Sequence, residues 1–109
     1  MERMSLKTLC EKLDVSRRII QGYEEKGLLG PSGKNKYGHL LYDEKAYHRA
    51  KMIKFLRQLG FGLNEIKMII DAPEEVLKEA LKRRVEELEI DKDRLIQIIE
   101  EANDFIKKL

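Results

Sequence analysis

Apolar residues recur at helical spacing through most of the chain, and the breaks between stripes are as informative as the stripes themselves. From Ser5 onward, Leu6, Leu9, Cys10 and Leu13 fall on one helical face. Asp14-Val15-Ser16 interrupts that face, and Ser16 has the side chain of an N-cap for the segment Arg17 to Lys26, where Ile19, Ile20 and Tyr23 keep near-helical spacing. Gly27 supplies a left-handed stop. Two short helices joined by a tight turn make a helix-turn-helix pattern, which generic helix pairs also show.

Between Leu28 and Tyr42 the periodicity changes. The stretch LLGPSGKNKYGHLLY holds three glycines and one proline around Lys34, Asn35 and Lys36. Its apolar segments Leu28-Leu29 and Leu40-Leu41-Tyr42 bracket a basic, turn-rich loop and predict a small β-hairpin. A basic hairpin directly after a helix-turn-helix has the layout of a wing.

Asp43 is placed to cap a third helix whose buried side is read as Tyr47, Ala50, Ile53, Phe55, Leu56 and Leu59, with Gly60 as its stop. A fourth helix restarts at Gly62, with Glu65 positioned for half of a capping box and Leu63, Ile66, Met68, Ile69 and Ile70 as its apolar residues. Asp71-Ala72-Pro73 breaks the chain again, and no further Gly or Pro follows. From there, heptad d positions are Leu81, Leu88, Leu95, Ala102 and Leu109, and a positions are Val85, Lys92, Ile99 and Ile106. Ile96, Ile98 and Phe105 lie beside this seam and broaden it. The helix is too long to bury such a stripe against a small domain, so the pattern calls for a partner helix. Lys92, the one polar a residue, either fixes register or extends its amine to solvent. The predicted division is residues 1–72 as a winged domain and 73–109 as a dimerisation helix. The fold class is all-α with a small β-hairpin wing.

Charge sharpens this division. The net +2 of the 109 residues hides an asymmetry: residues 1–72 carry 14 Lys/Arg against 9 Asp/Glu, and residues 73–109 carry 8 against 11. A basic front and an acidic, helical back point to a polyanion that contacts the first part only. The chain shows no run of eighteen apolar residues and no leader pattern, so a cytoplasmic location and no membrane partner are expected. Cys10 is the single cysteine and sits on an apolar stripe, where it reads as a small core residue rather than a sensing thiol. No Ser–His–acid set, metal-ligand cluster or glycine-rich phosphate loop accompanies His39 and His48, so neither an enzyme nor a cofactor or metal site is expected.

The stretch VSRRIIQGYEEKGLL, Val15 to Leu29, resembles the signature of the MerR-type transcription regulators, in which a Val-Ser turn leads into a recognition helix ending Tyr-Glu-x-x-Gly-Leu-Leu. Further on, GHLLYDEKAYHRAKMIKFLRQLGFGLNEIKMII resembles that family's wing strand, its third-helix start and its second wing. The likeness covers residues 4 to 72 in order. It implies a winged helix-turn-helix domain and an antiparallel coiled coil joining two subunits. It further implies a homodimer that binds pseudo-palindromic double-stranded promoter DNA and bends and untwists it, acting on RNA polymerase indirectly through the promoter.

The expected DNA contacts are Ser16, Arg17 and Arg18 at the start of the recognition helix, Gln21 and Tyr23 further along it, Lys34, Lys36, Tyr37 and His39 in the wing, then Tyr42 and Arg57; of these Arg18, Tyr23, Tyr42 and Arg57 match positions of the family pattern, while Arg17 rests on its position alone. Tyr23 reads equally well as a core aromatic. The sequence departs from the family pattern where Gln21 replaces a usual Arg, Gly22 a usual aromatic and Leu40 a usual Arg. Fewer charges weaken the counterion-release contribution to binding, while Gln21 retains the capacity to read an adenine edge. Metal-sensing members carry cysteines around the dimerisation helix, which this chain lacks. With heptads running to Leu109, the chain is expected to be either the DNA-binding part of a longer protein or a small member without a sensor. The rival reading is a winged-helix and coiled-coil interaction module with weak or no DNA binding; a phage-type excision factor fits less well because of the long heptad helix.

Overall fold

Side-chain caps set where the helices begin. The structure, a computed structural model, describes residues 3–109, which divide into one unit ending at Asp71 and another running from Ala72 to Leu109. In the first, strand β1 (Met4–Ser5) leads directly into helix α1 (Leu6–Leu13), because the Ser5 hydroxyl accepts from the Thr8 N–H at 3.1 Å. Asp14, at φ 54°, ends α1 in the left-handed region that Asn and Asp tolerate better than most residues. The Ser16 hydroxyl then accepts from the Ile19 N–H at 3.2 Å and starts helix α2 (Arg17–Glu25). Gly27, at φ 72°, turns the chain away from α2 as expected from the sequence.

The hairpin is built differently from the sequence expectation. Its strands are β2 (Gly33–Lys34) and β3 (Leu40–Tyr42), not Leu28-Leu29 with Leu40-Leu41-Tyr42. Leu28 and Leu29 are buried coil: the Leu28 N–H donates to the Tyr23 carbonyl at 3.0 Å and the Leu28 carbonyl accepts from Arg49 Nε, so neither group is available for a ladder. The strand β3 is central, pairing antiparallel with β2 (Lys34 opposite Leu40) and with β1 (Met4 opposite Tyr42), so the hairpin gains a third strand. At its tip the Asn35 side-chain oxygen accepts from the Tyr37 and His39 N–H groups at 2.9 and 3.0 Å. The Gly38 N–H donates to the Asn35 carbonyl with Gly38 at φ 81°, which is the three-residue hairpin loop closed by a left-handed residue.

Helix α3 (Glu44–Gln58) is capped by Asp43, whose carboxylate accepts from the Ala46 N–H at 2.8 Å. It contributes Ala46, Ala50, Ile53 and Leu56 to the core, in which Leu9, Leu13, Ile20 and Tyr42 are also buried. Phe55 was expected on this side but is 48% exposed, because it falls a further 100° or so round the helix from the Ile53–Leu56 face. Helix α4 (Leu63–Ile69) starts where Glu65 accepts from the Gly62 N–H at 2.9 Å, the half of a capping box that a glycine permits.

The second unit is helix α5 (Glu74–Lys108), 35 residues and about 52 Å long at 1.5 Å per residue. None of its residues is buried; Leu95 is 59% and Ile106 62% exposed. Lys92 lies on the seam and pairs with Glu89 of the same helix at 2.5 Å. Among the described residues no helix is long and apolar enough to cross a membrane.

Candidate nucleic-acid interface

The face of α2 turned away from the core carries Arg17, Arg18 and Gln21, all exposed, the two arginines directly after the Ser16 cap and Gln21 about one turn further on. Their exposure follows from the apolar residues that anchor the helix: with Ile20 and Tyr23 buried, positions 17, 18 and 21 are driven to the opposite side. The first-turn N–H groups not used by the cap point along the same end of the helix. Gly22 lies on the flank of α2 with nothing within 4 Å of where a Cβ would stand.

Two shallow clefts border this helix. One brings Arg17 together with Lys7 of α1 and with Gly38, His39 and Leu40 of the hairpin. The second places Ile19, Gly22 and Tyr23 opposite Lys54, Arg57 and Leu63. Each flank of α2 therefore holds cationic side chains from another element. Lys54 is partly committed, its amine donating to the Leu13 carbonyl at 2.5 Å, and Arg57 donates to the Phe61 carbonyl at 3.0 Å while staying exposed. On the hairpin, Lys34, Lys36, Tyr37 and His39 are all exposed, Tyr37 by 72%, and the Lys36 amine stands 5.1 Å from the Tyr37 ring centroid.

Two expected contact residues are not on this surface. Tyr42 is 0% exposed, because β3 turns it into the core beside the end of α2, and its hydroxyl donates to the Glu24 carboxylate at 2.5 Å. Burial, and then the Glu24 hydrogen bond, push its phenol well above the usual tyrosine range. Tyr23 is buried in the floor of the second cleft; desolvation raises its phenol too, with Arg57 opposing. Both side chains are buried and pack where α2 meets the core. Leu40 is half-buried opposite Lys34, which explains why this strand position accepts an apolar side chain here.

Lys7 was not singled out in the sequence, since a lone lysine in a helix first turn carries no local signal; its place beside Arg17 appears only once α1 packs on the sheet. Cys10 is buried and its thiol is pushed up by desolvation, which fits a core residue. Among the described residues no group of His, Cys, Asp and Glu is arranged to hold a metal ion.

Residues 4–73 match the pattern of the MerR HTH family regulatory proteins. The nodulation protein NolA of Bradyrhizobium elkanii is 32% identical over 88 residues, covering 81% of this chain and 40% of NolA. The HTH-type transcriptional activator mta of Bacillus subtilis is 33% identical over 98 residues, covering 90% of this chain and 38% of mta. The chain thus spans about two fifths of the length of these curated relatives. Among solved structures, a MerR family transcriptional regulator from Bacillus cereus superposes with a TM-score of 0.80 at 26% identity, over 98% of this chain and 82% of that one.

Proposed function

The chain belongs to the MerR HTH family of regulatory proteins, and from that premise we propose that it is a transcription regulator that binds promoter DNA as a homodimer, in the cytoplasm, without catalytic activity of its own. The observation that carries this reading is the surface around α2: exposed Arg17, Arg18 and Gln21, bordered on one side by Lys7 and the His39 end of the hairpin and on the other by Arg57. In this reading α2 lies in the major groove, where Gln21 meets a base edge and the arginines meet phosphate or guanine. Lys34, Lys36, Tyr37 and His39 contact the neighbouring phosphates, and residues up to 72 form the DNA-binding part.

Residues 73–109 form the dimerisation part in this reading. The seam from Leu81 through Val85, Leu88, Lys92, Leu95, Ile99, Ala102 and Ile106 to Leu109 is covered by an antiparallel copy of itself, which removes an apolar stripe too long to leave in water. The dimer binds a pseudo-palindrome and distorts it, so that polymerase is affected through the shape of the promoter. RNA polymerase is thus an indirect partner, and no cofactor is required for DNA binding itself.

DNase footprinting on the DNA upstream of the protein's own gene tests the reading. Protection of two symmetric half-sites that weakens as salt is raised is the expected result. Absence of salt-dependent protection, with a stable dimer, would favour the interaction module.

A further inference from the structure

Sheet pairing holds one lysine of α1 across from the hairpin. Ser5 of β1 stands opposite Leu41 of β3, and α1 begins at the next residue, so Lys7 follows closely on a position locked to the sheet. Burial of Leu9, Cys10 and Leu13 keeps Lys7 on the exposed side of its helix. The hairpin wall is equally fixed: the Asn35 side-chain oxygen accepts from the His39 N–H at 3.0 Å, and Leu40 pairs with Lys34. Arg17, the first residue of α2, completes a cleft with Lys7, Gly38, His39 and Leu40.

No carboxylate lines this cleft. The cleft on the other flank of α2 includes Asp14, and one beside Leu28 and Leu29 includes Asp43. Among the described residues neither Lys7 nor Arg17 forms an ion pair, whereas Arg49, Arg84 and Lys92 each hold a carboxylate. Two uncompensated cations sharing a cleft repel each other, and a first-turn cation also opposes the helix dipole. The stability of the domain therefore does not account for Lys7. An anion between the two side chains reverses both effects. Exposed charge also runs on from the cleft, through Lys34 and Lys36 along the hairpin and through Arg18 along α2, which matches an extended polyanion better than a single small one.

We propose that Lys7 is a DNA contact: with Arg17 it holds the phosphate backbone where the duplex passes between α1 and the hairpin, and it positions the duplex without reading its sequence. This rests on the DNA-binding reading above. Helix α1 thereby joins α2 and the hairpin as a third element on the DNA. Phosphate contacts of this kind fix register and orientation while base edges are read elsewhere.

The test uses the 109-residue chain. The unaltered protein first selects a duplex from a randomised pool, and single-base-pair variants of that duplex are then made. Kd is measured against salt for the unaltered chain, K7A, R17A, the K7A/R17A double variant and K12A, together with thermal melts. Lys12 is the control: it lies on the same helix, but its amine stands 5.8 Å from the Tyr47 ring centroid, away from the cleft. K7A should lower the log–log salt slope by about one and the double variant by about two. Between about 50 and 200 mM salt the K7A penalty should then shrink by about threefold. K7A should leave the ranking of the duplexes unchanged, and K12A should leave both slope and ranking unchanged. The melt of K7A should not fall below that of the unaltered chain, because a cation has left the first turn. An unaltered slope in K7A, a changed ranking in K7A, an equal loss in K12A, or a destabilised K7A would overturn the proposal and leave DNA binding intact. Failure of the unaltered chain to select any duplex would instead overturn the DNA-binding reading on which it rests.

Discussion

The Tyr42 hydroxyl donates to the Glu24 carboxylate at 2.5 Å, tying the last residue of the central strand to the recognition helix. Tyr42 is fully buried while Glu24 reaches solvent, so the bond fixes where α2 leaves the core. Replacing Tyr42 with Phe keeps the packing and removes the donor; a loss of about 1.5 kcal/mol is expected for a hydrogen bond to a charged group, read by urea unfolding. Because the folded protein holds this phenol above its ordinary range, its contribution is complete below that range and is lost as pH rises through the raised value. The Phe variant should therefore show a smaller loss of stability in alkali than the unaltered chain.

At the acid end two carboxylates act in the opposite sense. Asp43 is held below the usual carboxylate range by the Ala46 N–H and then the Ser32 hydroxyl, and Asp71 by the Arg49 hydrogen bonds. Each contributes stability that is present above the usual range and disappears as pH falls through the depressed value. Thermal melts should be level near neutrality and decline below about pH 4, with a shallower decline in the D43N/D71N double variant.

Gly22 sits inside α2 with open space around its absent Cβ. Nothing in the domain needs a glycine there, so G22A is expected to stabilise the protein by about 0.5 to 1 kcal/mol through the backbone entropy of the unfolded chain. A destabilised G22A would contradict the placement of this residue on an open helix flank.

The seam of α5 predicts a different outcome for charge. Asp in place of Leu95 or Ile99 would put two unpaired carboxylates in the helix pair, one from each copy, at a cost of about 6 kcal/mol per dimer, or about ten-thousandfold in dimer dissociation. Sedimentation equilibrium should find such variants shifted to monomer, with the circular dichroism of the first unit retained.

Most of the helices were legible because their signals are local. Ser16, Asp43 and Gly27 act within three or four residues of themselves, and the buried stripes repeat at a fixed period. The sheet was less so. Met4-Ser5 is too short to show alternation, and Leu28-Leu29 has the composition of a strand but spends its backbone groups on Tyr23 and Arg49. The exposure of Arg17 and Arg18 was legible because they follow a cap and oppose a buried stripe. The burial of Tyr42 was not legible because nothing in sequence says which face of a three-residue strand meets the core. The Arg49 hydrogen bonds were not legible because their partners lie 21 and 22 residues away.

If the α2 surface grips a polyanion, salt dependence shows it most directly. Fluorescence anisotropy with a duplex from the upstream region should give log Kobs falling linearly with log salt. R17A and R18A should each reduce that slope by about one. A slope near zero for the unaltered chain, or one that the two arginine variants do not alter, would contradict the account.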